Sequence, residues 1–364
     1  MSVNTDLKKT PLYDKHLEAG ARMVSFAGWS MPVQYTGIIE EHLHTRSKSS
    51  LFDICHMGEL FVKGPSAEKD VNALVTCQIE GLGVGKCRYG FLLNDRGMII
   101  DDMIVFKITS EEFMIVGNSG TREKDSEWIR AHLSSGSAFL DDSQNIAKID
   151  LQGPGSMEAM KSLITDPAID SLGRFCFVRT ELAGISALVS RTGYTGENGY
   201  EIFLPAGEAK RLWGALIGIQ GVKPIGLGAR DSLRLEMGYS LYGHDIDETR
   251  TPVEAGLMRF VHLEKDFIGK KSLLKQIKKG IKRILVGFIC EGRRSAREDC
   301  RVFSGGREVG IVTSGAFSPC LKRGIGLCYV DKDMAVEGKD IVLINGKVEI
   351  NAKIKKPPFI ELGK

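Results

Sequence analysis

No stretch of the 364-residue sequence approaches the ~20 consecutive apolar residues that a membrane-crossing helix needs, so no span is expected. The opening residues, MSVNTDLKKTPLYDKH, have no apolar core of the kind a secretory signal carries, and a cytoplasmic location is the expectation. An excess of one charge is also missing. The 49 Lys and Arg residues stand against 46 Asp and Glu, a net of +3. Nucleic-acid-binding domains usually show a concentrated basic footprint, so neither nucleic acid nor membrane is an expected partner. The eight cysteines, Cys55, Cys77, Cys87, Cys176, Cys290, Cys300, Cys320 and Cys328, form no C-x-x-C pair. That scatter argues against a metal site and against a disulfide framework, and leaves unbridged, mostly buried thiols in a reducing compartment.

The nucleotide loops are missing as well. Gly81–Lys86 (GLGVGK) lacks the glycine five positions before its Gly-Lys pair, where Glu80 stands, and the hydroxyl after it, where Cys87 stands. Gly226-Leu227-Gly228 lacks the third glycine of a dinucleotide fingerprint and reads as a turn that opens a helix bearing Arg230 and Asp231. No G-x-S-x-G elbow occurs. Metal, flavin and nucleotide cofactors are therefore not expected.

What is present is ordinary globular composition, 43% hydrophobic and 26% charged. The length exceeds the ~250–300 residues at which single cores stop growing, which calls for two or three domains. Residues 38–50 read as an amphipathic helix, 59–63 as a strand, 66–75 as a helix, and 98–108 (MIIDDMIVFKI) as a β-branched strand with an antiparallel partner at 113–116. Helices are expected at 121–133, 209–218 and 229–236, a strand–helix unit at 146–164, and hairpin strands at 187–190 and 200–204. A basic stretch, Lys270–Arg283, reads as a helix ending at Gly280. Beyond it come short strands at 283–289, 308–313, 324–329, 340–343 and 347–354. The expected class is α+β, with a mixed region over 1–280 and an antiparallel β-barrel or jelly roll over 281–364.

Four polar constellations interrupt this pattern. Asp101-Asp102 sit inside an apolar strand, where adjacent residues face opposite sides, so one acid is expected in the interior, either structurally bonded or placed for chemistry. SRTGYTGENGYE (Ser190–Glu201) gathers Tyr194, Glu197, Tyr200 and Glu201 around tight turns; it reads either as a polar hairpin tip or as a ring-binding loop whose carboxylate meets an amino-pyrimidine edge. GLGARDSLRLEMG (Gly226–Gly238) carries Arg230, Asp231, Arg234 and Glu236, which helix-end pairing alone would explain. FDICHMGEL (Phe52–Leu60) carries His56 and Met57, each more often a packing residue than a functional one.

Taken in order, FAGWSMPVQY, FDICHMGE, GMIIDDMIVF, NSGTREKD, LQGP, SRTGYTGENGYE, GLGARDSLRLE, YGHDIDE, KDFIGK and TSGAFSP resemble the glycine-cleavage T-protein family over nearly the whole chain. The resemblance implies a three-domain cloverleaf around a central folate channel, with two interleaved α+β N-terminal domains and a C-terminal β-barrel. It implies transfer of an aminomethyl group from the dihydrolipoyl arm of a lipoyl-carrying H-protein to tetrahydrofolate, giving 5,10-methylenetetrahydrofolate and ammonia. Asp102 matches the family's catalytic aspartate. Glu201 matches the residue that grips the pterin's amino-pyrimidine edge, and Arg230 a further ligand. Tyr194, Tyr89, Met57 and Asn118 are expected to line the pocket, with Met103, Ile104 and Val105 beside it. Phe106 stands where a tyrosine is common, Phe175 keeps an aromatic, and Cys55 replaces the serine usual before His-Met-Gly-Glu. The picture implied is of Asp102, as the interior acid, and Glu201 serving one pterin-sized hollow. Two readings remain beside it: a folate-dependent demethylase on the same scaffold, and a non-enzymatic folate-binding protein like those of iron–sulfur repair. The latter carry a K-G-C-x-x-G-Q-E type motif whose Gln-Glu pair is lacking after Lys86-Cys87.

Overall fold

The computed structural model describes residues 7–164 and 166–362. The chain divides into two compact units that are discontinuous in sequence. One contains the segments up to Glu68, Leu82–Arg88 and Ile104–Arg230; the other contains Lys69–Gly81, Tyr89–Met103 and everything from Asp231 onward.

The first unit is built on a six-stranded sheet. Its order is Phe177–Leu182, Ile185–Ser190, Gly199–Pro205, Ile146–Gln152, Ser49–Asp53 and Val222–Pro224. Only the last pairing is parallel. The strand IAKIDLQ alternates from Ala147 onward, and its odd-numbered residues Ala147, Ile149 and Leu151 bury one face against Met160, Leu212, Trp213 and Leu216 of two helices, Ser156–Lys161 and Ala209–Ile217. A five-stranded sheet runs Cys87–Leu93, Ile99–Lys107, Glu112–Gly117, Gly58–Lys63 and Ala138–Asp141. The division between the units falls inside its first two strands.

In the second unit, Phe91, Leu93 and Ile99 pack with Ile246, Ala255, Phe267 and Leu273 in one core. Leu273 belongs to the basic helix Lys270–Lys279, which ends at Gly280 (φ +83°), where glycine takes a conformation that side chains resist. The C-terminal strands close into an antiparallel six-stranded barrel: Arg283–Cys290, Arg323–Asp331, Arg307–Ser318, Arg301–Ser304, Asp340–Asn345 and Val348–Ile354. No disulfide joins the cysteines; six are buried, Cys176 is half-buried and Cys320 is exposed. Among the described residues no helix is long and apolar enough to cross a membrane.

One expected element is inverted. The helix Ile38–Ser47 exposes Ile38, Ile39 and Leu43 and buries Glu41, His42 and Thr45. Its buried polar side follows from the turns that Glu41 anchors rather than from an apolar face. The Glu41 carboxylate accepts from the backbone N–H groups of Tyr35, Thr36 and Gly37 at 2.6, 2.9 and 3.1 Å and from that of Gly226 at 2.8 Å. These bonds satisfy backbone donors of the turns that precede two helices, Tyr35–Gly37 ahead of this one and Gly226 ahead of Leu227–Glu236.

Candidate functional site

The second face of the six-stranded sheet mixes an apolar cluster that includes Phe177, Leu188 and Phe203 with polar side chains that are nonetheless buried. Lys148, Asp150 and Gln152 alternate with the core residues of their strand and are 1%, 0% and 0% exposed. Strand pairing sets their neighbours. Glu201 lies directly opposite Asp150, Phe203 opposite Lys148, and Gly199 opposite Gln152. On the other side Phe52 faces Asp150 and Ser50 faces Gln152. Two carboxylates opposite each other on one face repel, so each needs its own partners.

Both have them. Glu201 takes Lys148 Nζ at 3.0 Å on one oxygen and the hydroxyl of Thr192 on the other. Asp150 takes Arg230 Nη1 at 2.8 Å and Gln152 Nε2 at 2.6 Å. The Arg230 guanidinium lies 5.1 Å from the Tyr194 ring centroid and 5.9 Å from that of Phe52. Lys148 Nζ lies 3.6 Å from Met57 Sδ and 5.2 Å from the Phe203 ring.

Burial pushes every acid here toward its neutral form. For Asp150 burial wins: with the facing Glu201 it raises the carboxyl to about 6, against the pull of Arg230. For Glu201 burial is overcome by Lys148 and by the Thr192 bond, and the carboxyl lies below its ordinary range. Glu59 is fully buried, neither of its side-chain oxygens has a hydrogen-bond partner, and burial drives it well above the ordinary range. Two basic side chains, Lys148 and Arg230, therefore meet two acids, Glu201 and Asp150, and burial drives Glu59 toward its neutral form.

His56 is neutral for the same reason. It is buried edge-on to Phe26, its Nδ1 has no partner, and burial, with Arg230 and Lys148 adding to it, lowers its pKa from an ordinary 6.5 to about 4. A base with a depressed folded pKa stabilises the fold above pH 6.5 and loses that contribution as pH falls toward 4. His56→Phe should therefore remove about 2 kcal/mol of the stability lost between pH 8 and pH 5. Urea unfolding of both proteins at the two pH values measures it; parallel losses would show that His56 does not titrate this way.

The other predicted residues divide between the units. Asp102 and Tyr89 lie in the second, where the Tyr89 hydroxyl donates to Asp102 Oδ2 at 2.9 Å and the Tyr89 ring packs on Phe260 and Phe91 at centroid distances of 4.6 and 5.4 Å. The strand Ile99–Lys107 corrects the expectation of an interior Asp102: Asp101 is the fully buried acid and Asp102 is half-buried. Alternation puts Met103 and Val105 on the face of Asp101 and Ile104 on that of Asp102, so these three do not line one surface together. Phe106 is fully buried, with Phe177 and Phe203 each at a ring distance of 5.4 Å. A tyrosine hydroxyl there would need a partner in an aromatic core, which the phenylalanine avoids.

Asn118 follows the strand Glu112–Gly117, half-buried, with its carbonyl accepting from Thr121 Oγ1 at 3.0 Å. Phe175 is 43% exposed at φ +57°. Within the loop singled out in the sequence, Glu197 is taken by Arg46 at 2.9 Å and Tyr200 turns into the opposite core, which leaves Glu201 and Tyr194 on the polar face. Arg234 serves the second unit. It bonds Asp231, Asp245, Ser314 Oγ and the Tyr239 carbonyl, each at 2.8 Å. Sequence reasoning missed Lys148, Asp150, Gln152, Thr192 and Glu59. The signal for the first three was K-I-D-L-Q, whose alternation reads as a solvated sheet face.

Comparisons with known proteins agree along the chain. The family profile described as the GCVT N-terminal domain matches residues 12–265, and that of the glycine cleavage T-protein C-terminal barrel domain matches residues 283–361. An aminomethyltransferase of Halothermothrix orenii is 43% identical over 97% of this chain and 100% of its own length. One from Thermotoga maritima is 42% identical over 97% and 98%. The crystal structure of glycine cleavage system aminomethyltransferase T from Bartonella henselae superimposes with a TM-score of 0.92 at 34% identity, covering 98% of this chain and 99% of that one. With two domain profiles in sequence and full-length relatives above 40% identity, the chain belongs to the glycine cleavage T-protein family.

Proposed function

We infer that the chain is a tetrahydrofolate-dependent aminomethyltransferase that moves the one-carbon unit of an aminomethyl-dihydrolipoyl H-protein to tetrahydrofolate. The methylene carbon exchanges its bonds to ammonia and to the lipoyl sulfur for bonds to two folate nitrogens. The two N–H protons of the folate leave with the thiol and the ammonia, giving 5,10-methylenetetrahydrofolate and dihydrolipoyl H-protein. Family membership supports this reading, and one observation carries it at the level of residues. Glu201 is a buried carboxylate kept ionised by Lys148 and Thr192, with a guanidinium and the Tyr194 ring close by.

That group suits a pterin. An ionised carboxylate has about four lone-pair sites, and two protein donors leave room for the parallel N–H bonds of an amino-pyrimidine edge. In this reading Glu201, Arg230 and Tyr194 bind the ring, with Met57, Asn118, Ile104 and Phe175 as further folate contacts. Met103, Val105 and Phe106 support them from within their sheet. Asp102 handles the proton at the attacking nitrogen, and the Tyr89 hydroxyl holds its carboxylate. Orientation can supply ~7–11 kcal/mol of the barrier in favourable cases, so no strong base is needed.

The reading predicts ammonia release that requires both the aminomethyl-loaded carrier and tetrahydrofolate. A preparation that binds folate yet releases none from a carrier preparation competent with another member of the family would contradict it.

A further inference from the structure

Gln152 ends the strand Ile146–Gln152, is completely buried, and spends every polar atom of its side chain. Nε2 donates to Asp150 Oδ1 at 2.6 Å and to the Thr192 carbonyl at 3.1 Å, while Oε1 accepts from Thr195 Oγ1 at 2.8 Å. The orientation is unambiguous. A carboxylate and a carbonyl can only accept, and Thr195 Oγ1, which accepts from the Glu197 N–H at 3.2 Å, has its hydrogen to give. A flipped amide would set its oxygen against two acceptors.

The amide thus joins the two acids that face each other on the sheet. One hydrogen goes to Asp150, which holds Arg230; the other goes to the backbone of Thr192, whose hydroxyl holds Glu201. The glycines of the TGYTGENG loop make room for it. A Cβ at Gly193 or at Gly199 would come within 2.3 Å of the Gln152 amide. The glycine-rich loop and the LQGP segment, separated in sequence, are one device.

We propose that Gln152 is a positioning residue for folate recognition, holding Asp150 and the Thr192–Thr195 turn in the register that presents Glu201. This rests on the reading of Glu201 as a folate ligand. Gln152 does not touch the substrate; it acts through Thr192 and Asp150. Its contribution should appear in folate affinity and not in the chemical step.

The test is calorimetric titration with tetrahydrofolate, together with steady-state kinetics, on the wild type and on Glu201→Ala, Gln152→Leu, Thr195→Val and Thr195→Ser. Hydrogen bonds to charged groups are worth enough that Gln152→Leu should weaken folate binding ~10–100-fold. The folate KM should rise in step, kcat should stay within ~3-fold, and the KM for the loaded carrier should not move. Thr195→Val, which frees the amide to flip, should weaken folate in the same sense, and Thr195→Ser should restore it. If Glu201→Ala loses affinity and a folded Gln152→Leu does not, the positioning role is overturned and the ligand role of Glu201 stands. If Glu201→Ala binds as the wild type does, the underlying reading fails first. Should Gln152→Leu not fold, the threonine pair decides, and wild-type affinity in Thr195→Val overturns the proposal. A fall in kcat with no change in folate KM overturns it as well.

Discussion

Asp102→Asn should slow methylene transfer by ~10²–10⁴-fold while tetrahydrofolate still binds, the range that a positioned carboxylate assisting proton transfer contributes. Asparagine keeps an oxygen where Tyr89 donates its hydroxyl hydrogen at 2.9 Å, so the side chain has the same shape and the same anchor. What it loses is the capacity to take and return a proton. Asp102 is also half-buried, unlike its fully buried neighbour Asp101. The expected pattern is a large fall in single-turnover ammonia release with folate affinity within ~3-fold of wild type, since only an interaction made in the transition state is removed. Unchanged turnover would take Asp102 out of the reaction.

Lys148→Met should cost ~3–5 kcal/mol of stability at neutral pH, the usual result of removing one partner of a buried ion pair. Methionine approximates the length of the lysine stem, so the loss is electrostatic. Glu201 loses its bond to Nζ at 3.0 Å and keeps only Thr192, while Asp150, on the facing strand, still repels it. The pH dependence identifies the cause. In the wild type the Glu201 carboxyl is depressed below its ordinary 4.5, so the pair stabilises the fold above that pH and the contribution fades as pH falls below it. The gap between wild type and variant should therefore be full at pH 7 and narrow toward pH 4, as Glu201 becomes protonated in the variant. Urea unfolding across that range measures it, and a gap independent of pH would assign the loss to packing alone.

The sequence made the local elements legible where apolar periodicity decided them. The strand Ile99–Lys107 with its antiparallel partner, the helix ending at Gly280 and the β character of the chain after it all follow from pattern and turn chemistry. The short strand Arg301–Ser304 was missed because it has too few residues to show a period. The helix Ile38–Ser47 was legible as amphipathic, but its buried side is the polar one, since a carboxylate that binds four backbone N–H groups of neighbouring turns outweighs three partly exposed isoleucine and leucine side chains.

The site was harder to read for a related reason. Glu201, Arg230 and Asp102 stood out through motifs, but Lys148, Asp150 and Gln152 look in sequence like the wet side of a sheet. Only strand pairing shows that they face Phe203, Glu201 and Gly199 and that water has been replaced by mutual partners. The discontinuous units are equally invisible in pattern, because four of the five passages between them fall inside elements, in strands at Arg88/Tyr89 and Met103/Ile104 and in helices at Glu68/Lys69 and Arg230/Asp231.

At the centre of the account is the claim that Glu201 accepts from the amino-pyrimidine edge of the folate. A tetrahydrofolate analogue whose 2-amino group is replaced by methyl removes one donor from that edge and little else. Titrated by calorimetry against the wild type it should bind at least ~100-fold more weakly than tetrahydrofolate, as sites built to pair a polar group reject analogues that lack it. Against Glu201→Ala the two ligands should bind alike. Equal discrimination by both proteins would contradict the claim.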